Sequence, residues 1–444
     1  MSSARAYLAG PGDAVGGELR VPGDKSISHR ALMLGGIACG DTSISGFLAS
    51  EDCLATLQAL RALGVRIERP EDTQVRVHGA GQRGLRGSAQ SLDMGNAGTA
   101  IRLFMGLLAG QGFDSTLIGD ASLMRRPMER VAAPLRLMGA LIDTEDGKPP
   151  VRIHGVGALR AMDYRLPMAS AQVKSALLLA GLYAQGQTRV TEPAPTRDHT
   201  ERMLRGFGVA ITSADQQVRL EGGQVLRGCD IAVPGDFSSA AFFLVAGCLA
   251  ARNGLTLRQV GINPTRTGLL ELLRMMGADI EVQAHDTGGP EPIADLHVRH
   301  SALRAIRVPE RLVPLAIDEF PVFFVAAAAA DGETLVSGAA ELRVKESDRL
   351  AVMAQGLRAL GVECELLPDG MRIQGLGGSG GRSRLRGGRI DSHGDHRIAM
   401  AFAIASLIAA EPIEIADVAN VATSFPGFPA LSRAAGLKLT ELSQ

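Results

Sequence analysis

The chain has 444 residues, 46% of them hydrophobic and 21% charged, a globular composition that excludes disorder, collagen-like repeats and a small disulfide scaffold. Lys plus Arg at 46 against Asp plus Glu at 47 gives a net charge of −1, so no bulk field attracts nucleic acid or an anionic membrane. With no Trp and 4% aromatics, base-stacking platforms are scarce as well, and any anionic ligand has to be met by local groups.

The five cysteines (Cys39, Cys53, Cys229, Cys248, Cys364) are scattered and odd in number, without a CxxC pair or zinc spacing, which fits a reducing cytoplasm. The first residues lack the apolar core of a signal peptide and the Arg/Ser-rich pattern of a transit peptide. The longest apolar runs, Phe320 to Ala330 and Ile398 to Ala410, suit buried helices and are too short to span a bilayer.

One pattern returns six times along the chain: an apolar helix, a strand, a second helix closed by glycine, and a further alternating segment. The closing glycines are Gly64, Gly139, Gly208, Gly277, Gly361 and Gly436, each placed where a helix must turn through a left-handed residue. The first helices, such as AIRLFMGLLAG and PVFFVAAAAA, are apolar all round and belong inside a domain. The second helices, such as ESDRLAVMAQGLRALG, are amphipathic and belong outside. Six such units exceed one core, so the chain divides three plus three. VPGD occurs at Val21 to Asp24 and again at Val233 to Asp236, each time just before a set of three, and reads as two strand-like crossings hinged at Pro22-Gly23 and Pro234-Gly235. The expected domains are 23–234 and 1–22 plus 235–444. Gly375 to Gly388, GLGGSGGRSRLRGG, reads as a flexible loop or hairpin.

Charges that break the apolar pattern cluster at the N-terminal starts of these helices, where backbone N–H groups and the helix dipole favour anions. In chain order, Lys25, Ser26 and Arg30 open the first repeat, with Ser26 and Arg30 four apart on one helical face. Asn96 to Gly98 open the second with small residues that admit an anion to the backbone, and Arg125-Arg126-Pro127 precedes its second helix, where proline fixes the first turn. Ser170, Ala171 and Gln172 open the third, followed by Thr196-Arg197. The fifth carries Asp318-Glu319 and then Arg343 to Arg349, in which Lys345 and Arg349 share a face by their spacing. The sixth opens with His393-Gly394-Asp395-His396-Arg397; its HxxH lacks a third ligand cluster, so a capped helix with Arg397 turned to the ligand is the reading, with no metal. Lys25, Arg30, Arg126, Arg197, Lys345, Arg349 and Arg397 stand against two candidate bases, Asp318 and Glu346. Such a set suits two anionic substrates and proton transfer. Walker, Rossmann and kinase motifs are missing from the sequence.

Taken together, GDKSISHRALML, NAGTAIR, RRPMERV, ASAQVKSALLLAGL, PTRDHTERML, RVKESDRL and GDHRIAM resemble the 5-enolpyruvylshikimate-3-phosphate synthase family, over nearly the whole chain. The resemblance implies an α/β fold of two domains, each of three βαβαββ units, an inside-out α/β barrel that closes over the substrates. It implies transfer of the enolpyruvyl group of phosphoenolpyruvate to the 5-hydroxyl of shikimate 3-phosphate with release of phosphate, without metal or cofactor, in a cytoplasmic monomer with no nucleic-acid or membrane partner. The family pattern puts Lys25, Ser26, Arg30, Ser170, Ala171, Gln172, Arg197, Asp318 and Lys345 on shikimate 3-phosphate. Lys25, Asn96, Gly98, Arg126, Gln172, Arg349 and Arg397 would meet phosphoenolpyruvate. Asp318, Glu346 and Lys25 are the implied catalytic groups.

Two positions depart from the family pattern: Thr423-Ser424 precedes Phe425-Pro426 where some members carry a lysine, and Glu341 stands where many have asparagine. Both, with RPMER and TRDHTE, look like the class-two branch, which often replaces the NAGT glycine by alanine and then tolerates glyphosate; Gly98 is retained here, which implies sensitivity. Two rival readings stay open: the sister transferase acting on UDP-N-acetylglucosamine, whose loop cysteine is replaced here by Ala121, and a non-enzymatic module that binds phosphorylated metabolites.

Overall fold

Six glycines set the rhythm of the fold. Gly64, Gly139, Gly208, Gly277, Gly361 and Gly436 all have positive φ, between 84° and 105°, and each ends an outer helix and turns the chain into a strand. The computed structural model describes residues 5–12, 14–286, 289–377 and 384–443. Residues 378–383, inside the Gly375 to Gly388 stretch, lie outside the described residues.

The chain forms two compact units: Gly23–Val233 with Gly288–Glu291, and Met1–Pro22, Pro234–Thr287 and Pro292–Gln444. Pro234 therefore groups with the second-half unit, one residue earlier than the expected boundary. Gly288–Glu291 groups with the first-half unit because its side chains dock there: Glu291 Oε1 lies 2.7 Å from His199 Nδ1, and Arg202 donates to the Pro290 carbonyl at 3.0 Å. The VPGD segments are not strands. Each is an extended stretch whose aspartate caps a helix, Asp24 accepting from Ile27 N and Asp236 from Ser238 N.

In the first-half unit the helices are α1 (Lys25–Ile37), α2 (Glu51–Ala62), α3 (Gly98–Ala109), α4 (Glu129–Leu137), α5 (Ala171–Gly181) and α6 (His199–Gly206). The inner helices α1, α3 and α5 are buried along nearly their whole length, apolar on most sides but holding a few buried polar groups such as His29, Arg30, Arg102 and Lys174. Helix α3 packs on α1 and α5, and its approach to α5 is close: a Cβ at Gly106 would stand 2.1 Å from the Ala176 carbonyl oxygen. Three four-stranded sheets enclose them. The first runs Asp230–Ala232, Cys39–Ser45, Gln74–Ala80, Arg66–Glu71; the second Leu92–Asp93, Ser115–Ile118, Lys148–His154, Leu141–Glu145; the third Asp163–Arg165, Gln187–Thr191, Gln217–Glu221, Ile211–Ala214. In each, the first pair is parallel and the others antiparallel. Each of these sheets thus holds two more strands than the two per repeat that the spacing alone predicts.

The second-half unit repeats the plan with α7 (Phe237–Ala250), α8 (Gly268–Met275), α9 (Phe320–Ala329), α10 (Arg349–Ala359), α11 (His396–Ala405) and α12 (Phe428–Ala434). Its inner helices α7, α9 and α11 pack pairwise. Two strands near the start of the chain complete its sheets: Gly17–Leu19 pairs in parallel with Leu255–Gly261, and Arg5–Gly10 lies antiparallel between Ile413–Ala416 and Lys438–Ser443. The middle sheet keeps three strands, Glu333–Val336, Gly370–Gln374 and Cys364–Leu367, with single bridges from Arg304 and Arg307 where a fourth would lie. Each unit has its own hydrophobic core. Among the described residues, no helix is long and apolar enough to cross a membrane.

Candidate active site

The expected residues fall into one group per unit, and the two groups differ in their electrostatics. In the first-half unit, Lys25 opens α1 and pairs with Asp52 at 2.9 Å. Ser26 follows it, half-buried. Arg30 lies one turn beyond Ser26 on the same face of α1 and is buried, donating to the Ser26 carbonyl at 2.9 Å, Thr200 Oγ1 at 2.7 Å and Ser175 Oγ at 2.8 Å. Burial pushes its guanidinium down to about 10, an effect that the Glu201 carboxylate opposes. His29 beside it is also buried, and burial with the Lys25 and Arg30 charges pushes the imidazole down to about 3, so it stays neutral.

At the start of α3, Asn96 accepts from Arg126 Nη2 at 2.6 Å and donates to Asp120 at 2.7 Å. Gly98 leaves room for this arginine, since a Cβ there would lie 2.8 Å from Arg126 Nη1. Pro127 is not in the first turn of α4, which begins at Glu129; a short 3-10 turn, Leu123–Arg125, precedes Arg126 and delivers it in extended conformation. Ser170 caps α5 by accepting from Val173 N, Ala171 is its first residue, and the Gln172 amide is fixed between Arg102 Nη1 at 2.7 Å and Thr99 Oγ1 at 3.1 Å. Arg102 also donates to the carbonyls of Gly98 and Pro127, joining three segments of the group. Arg197 is half-buried in the segment just before α6.

In the second-half unit, cations and carboxylates interlock. Arg349, 1% exposed, donates from Nε to Asp395 at 2.8 Å, from Nη2 to Glu346 at 2.6 Å and from Nη1 to Asp318 at 3.4 Å. Burial works against its charge, but the Asp395, Glu346 and Asp318 carboxylates outweigh it and raise its pKa. Lys345 stands 3.6 Å from Asp318 and 3.8 Å from Glu341. The four-residue spacing is not the reason: Lys345 follows a 3-10 turn, Ala340–Val344, and lies outside α10, so the loop bends it toward Asp318. Arg397 donates to the Asp318 carbonyl at 3.0 Å and lies 3.9 Å from the carboxylates of Asp318 and Glu319.

Asp395 caps α11, accepts from Ser347 Oγ and receives Arg349. At the departing positions, Glu341 faces Lys345, and Thr423 donates to the Asn420 carbonyl at 2.7 Å. Sequence reasoning passed over Asp52 and gave no role to Arg102, Glu319 or Asp395, although it named the segments that hold them. A charged residue within or at the start of a helix that is otherwise apolar was the available signal.

Each unit thus holds arginines and lysines at the starts of buried helices, and the second-half unit holds carboxylates against them, an arrangement for phosphorylated and carboxylated small molecules with proton transfer. The chain belongs to the family described as EPSP synthase (3-phosphoshikimate 1-carboxyvinyltransferase), which it matches over residues 10–431. It is 61% identical over 431 residues to the 3-phosphoshikimate 1-carboxyvinyltransferase of Alkalilimnicola ehrlichii, covering 97% of this chain and 95% of the relative. To that of Methylococcus capsulatus it is 58% identical over 434 residues, 98% of each chain. A solved EPSP synthase structure from Acinetobacter baumannii superposes with a TM-score of 0.88 at 52% identity, covering 99% of this chain and all of that one.

Proposed function

We propose that the protein transfers the enolpyruvyl group of phosphoenolpyruvate to the 5-hydroxyl of shikimate 3-phosphate, releasing inorganic phosphate. Relatives carrying the name 3-phosphoshikimate 1-carboxyvinyltransferase at 58–61% identity over nearly the full length support the activity against both rival readings. The observation that carries the residue roles is the attachment of Asp318 and Glu346 to one buried guanidinium, that of Arg349.

In this reading Asp318 takes the proton of the attacking 5-hydroxyl as its oxygen bonds to C2 of phosphoenolpyruvate. Glu346 and Lys25 supply the proton taken up at the methylene carbon, giving a tetrahedral adduct. Return of a methyl proton to the Glu346 and Lys25 pair, with the phosphate leaving with the electrons of its C2–O bond, then gives the enol ether and inorganic phosphate. Lys345, Arg349 and Arg397 surround Asp318 and stabilise the charge that collects on the departing phosphate. Ser26, Arg30, Ser170, Ala171, Gln172 and Arg197 serve shikimate 3-phosphate, together with Lys25, Asp318 and Lys345. Asn96, Gly98, Arg126, Gln172, Arg349, Arg397 and Lys25 serve phosphoenolpyruvate. No metal or cofactor is assigned a step.

The domain division and the protein's setting are part of the proposal. Repeats one to three and four to six act as the two working halves, and the protein works as a cytoplasmic monomer; free thiols at all five cysteines support a reducing compartment. Phosphate release that requires both substrates tests the activity, and sedimentation at micromolar concentration tests the monomer.

A further inference from the structure

Three ionisable groups buried in the first-half unit take no part in the proposed chemistry. Lys174, on α5 and 1% exposed, places its ammonium 2.8 Å from Glu192 Oε2 and 2.7 Å from Glu201 Oε1, and both carboxylates are themselves buried. Taking one ammonium and two carboxylates out of water is costly, and well-packed apolar side chains join helices as firmly. What such a cluster adds is direction: hydrogen bonds fix relative positions more narrowly than apolar contact does.

The three partners sit on three different segments; two of these carry residues assigned above to shikimate 3-phosphate, and the third, α6, holds another of them, Arg30, through Thr200. Lys174 lies one turn beyond Ser170 and donates its backbone N–H to the Ser170 carbonyl at 3.1 Å, so its position is that of the α5 start with Ser170, Ala171 and Gln172. Glu192 directly follows the strand Gln187–Thr191 and also accepts from the Thr196 hydroxyl, next to Arg197. Glu201 lies on α6 beside Thr200, which receives Arg30 Nε and donates to Ser175 on α5. Burial opposes the charge on Lys174, but Glu201 and Glu192 outweigh it and raise its pKa, so the ammonium persists.

We propose that Lys174, through Glu192 and Glu201, is a positioning residue for shikimate 3-phosphate, setting the α5 start, the Arg197 segment and α6 in the register that this substrate requires. The inference rests on the residue assignment made under Proposed function.

The test compares Lys174→Met/Glu192→Gln/Glu201→Met, which leaves no buried charge unpaired, with Thr196→Val, which cuts only the link from Glu192 to the Arg197 segment. Calorimetric titration with shikimate 3-phosphate alone is run beside steady-state kinetics and thermal melting, with Arg197→Met as the control for the assignment. The expected result is a rise of roughly tenfold or more in Kd and KM for shikimate 3-phosphate in the triple variant, and about three- to tenfold in Thr196→Val. KM for phosphoenolpyruvate and kcat should stay within about threefold, a split that a merely structural role would not produce. Glu192→Gln alone keeps the hydrogen-bonding shape and should recover affinity to within about threefold of the unchanged protein. If Arg197→Met weakens binding while folded triple and Thr196→Val variants bind normally, the positioning claim is overturned and the assignment survives. If Arg197→Met binds normally, the assignment fails and the inference goes with it. Should the triple variant not fold, Thr196→Val decides alone.

Discussion

Replacing Gly98 by alanine adds one methyl group at the first residue of α3, and its consequences can be worked from the surrounding distances. Built on the backbone, the new Cβ lies 2.8 Å from Arg126 Nη1 and 3.4 Å from Arg102 Nη1. Ordinary carbon contacts settle near ~3.5 Å, so the Arg126 head has to withdraw by roughly half an ångström or more. It is the end of a flexible side chain and can move, yet it is tied to Asn96 Oδ1 at 2.6 Å and Ser122 Oγ at 3.4 Å, so the shift breaks its aim rather than the fold. Alanine is the better helix former by up to about 1 kcal/mol, so Tm should hold or rise. A charge-assisted hydrogen bond to the substrate contributes about 1.5–3 kcal/mol, which puts the expected rise in KM for phosphoenolpyruvate at about 10- to 150-fold. Phosphate release with phosphoenolpyruvate varied at saturating shikimate 3-phosphate measures it, and KM for shikimate 3-phosphate should move less than threefold. A folded Gly98→Ala protein whose KM for phosphoenolpyruvate stays within twofold would refute the placement of that substrate against Arg126. The unchanged protein, with its glycine, is expected to be inhibited by millimolar glyphosate, and the variant much less so.

Asp318→Asn keeps the side-chain shape among Lys345, Arg349 and Arg397 but removes the base; kcat should fall by about 10²- to 10⁴-fold with little change in substrate binding, and near-normal turnover would take Asp318 out of that role. His29 binds its proton in the unfolded chain near 6.5 but in the folded one only near about 3, so the unfolded state holds the extra proton between those values. Stability should therefore drop as pH falls below 6.5, by up to ~1.4 kcal/mol per pH unit from this group. His29→Gln should flatten urea-melt stability between pH 6.5 and 4.5 by about one proton, and an unchanged slope would count against a neutral buried imidazole. Gly106→Ala forces a Cβ to within 2.1 Å of the Ala176 carbonyl oxygen, and overpacking of that kind costs about 1–3 kcal/mol. A lowered Tm is expected, and an unaltered one would mean that α3 and α5 are not in close contact.

The repeat was legible because its marks are local. A glycine at positive φ is demanded by the turn itself, as at Gly64 or Gly277, and a helix such as α9 that is apolar on every side announces its own burial. The sheets were less legible, because the strand Asp230–Ala232 completes the first sheet and Arg5–Gly10 completes the sixth, pairings that no window of sequence contains. The VPGD segments were half legible: the chain does pass between units at Pro22/Gly23 and Val233/Pro234, as the Pro-Gly pairs suggest, while the roles of Asp24 and Asp236 as helix caps were not read.

At the site, residue types could be read, but partners could not. Lys345 and Arg349 do meet at Asp318, though through a 3-10 turn rather than a shared helical face. Arg30 reads as a ligand by its place at a helix start, yet its nitrogens are bound by Thr200 and Ser175, far along the chain. Glu192 and Glu201 look in sequence like ordinary solvated charges, and Lys174 stands out in an apolar helix but shows no partner, because only the tertiary fold brings the three together out of water.

The central claim is the reaction itself, and it is tested most directly by mixing the purified protein with phosphoenolpyruvate and shikimate 3-phosphate and following inorganic phosphate, with each substrate omitted in turn and UDP-N-acetylglucosamine offered as an alternative acceptor. Release that needs both phosphoenolpyruvate and shikimate 3-phosphate, and that is abolished in Asp318→Asn, is the predicted result. Release with the nucleotide sugar alone, or none with either acceptor, would contradict it.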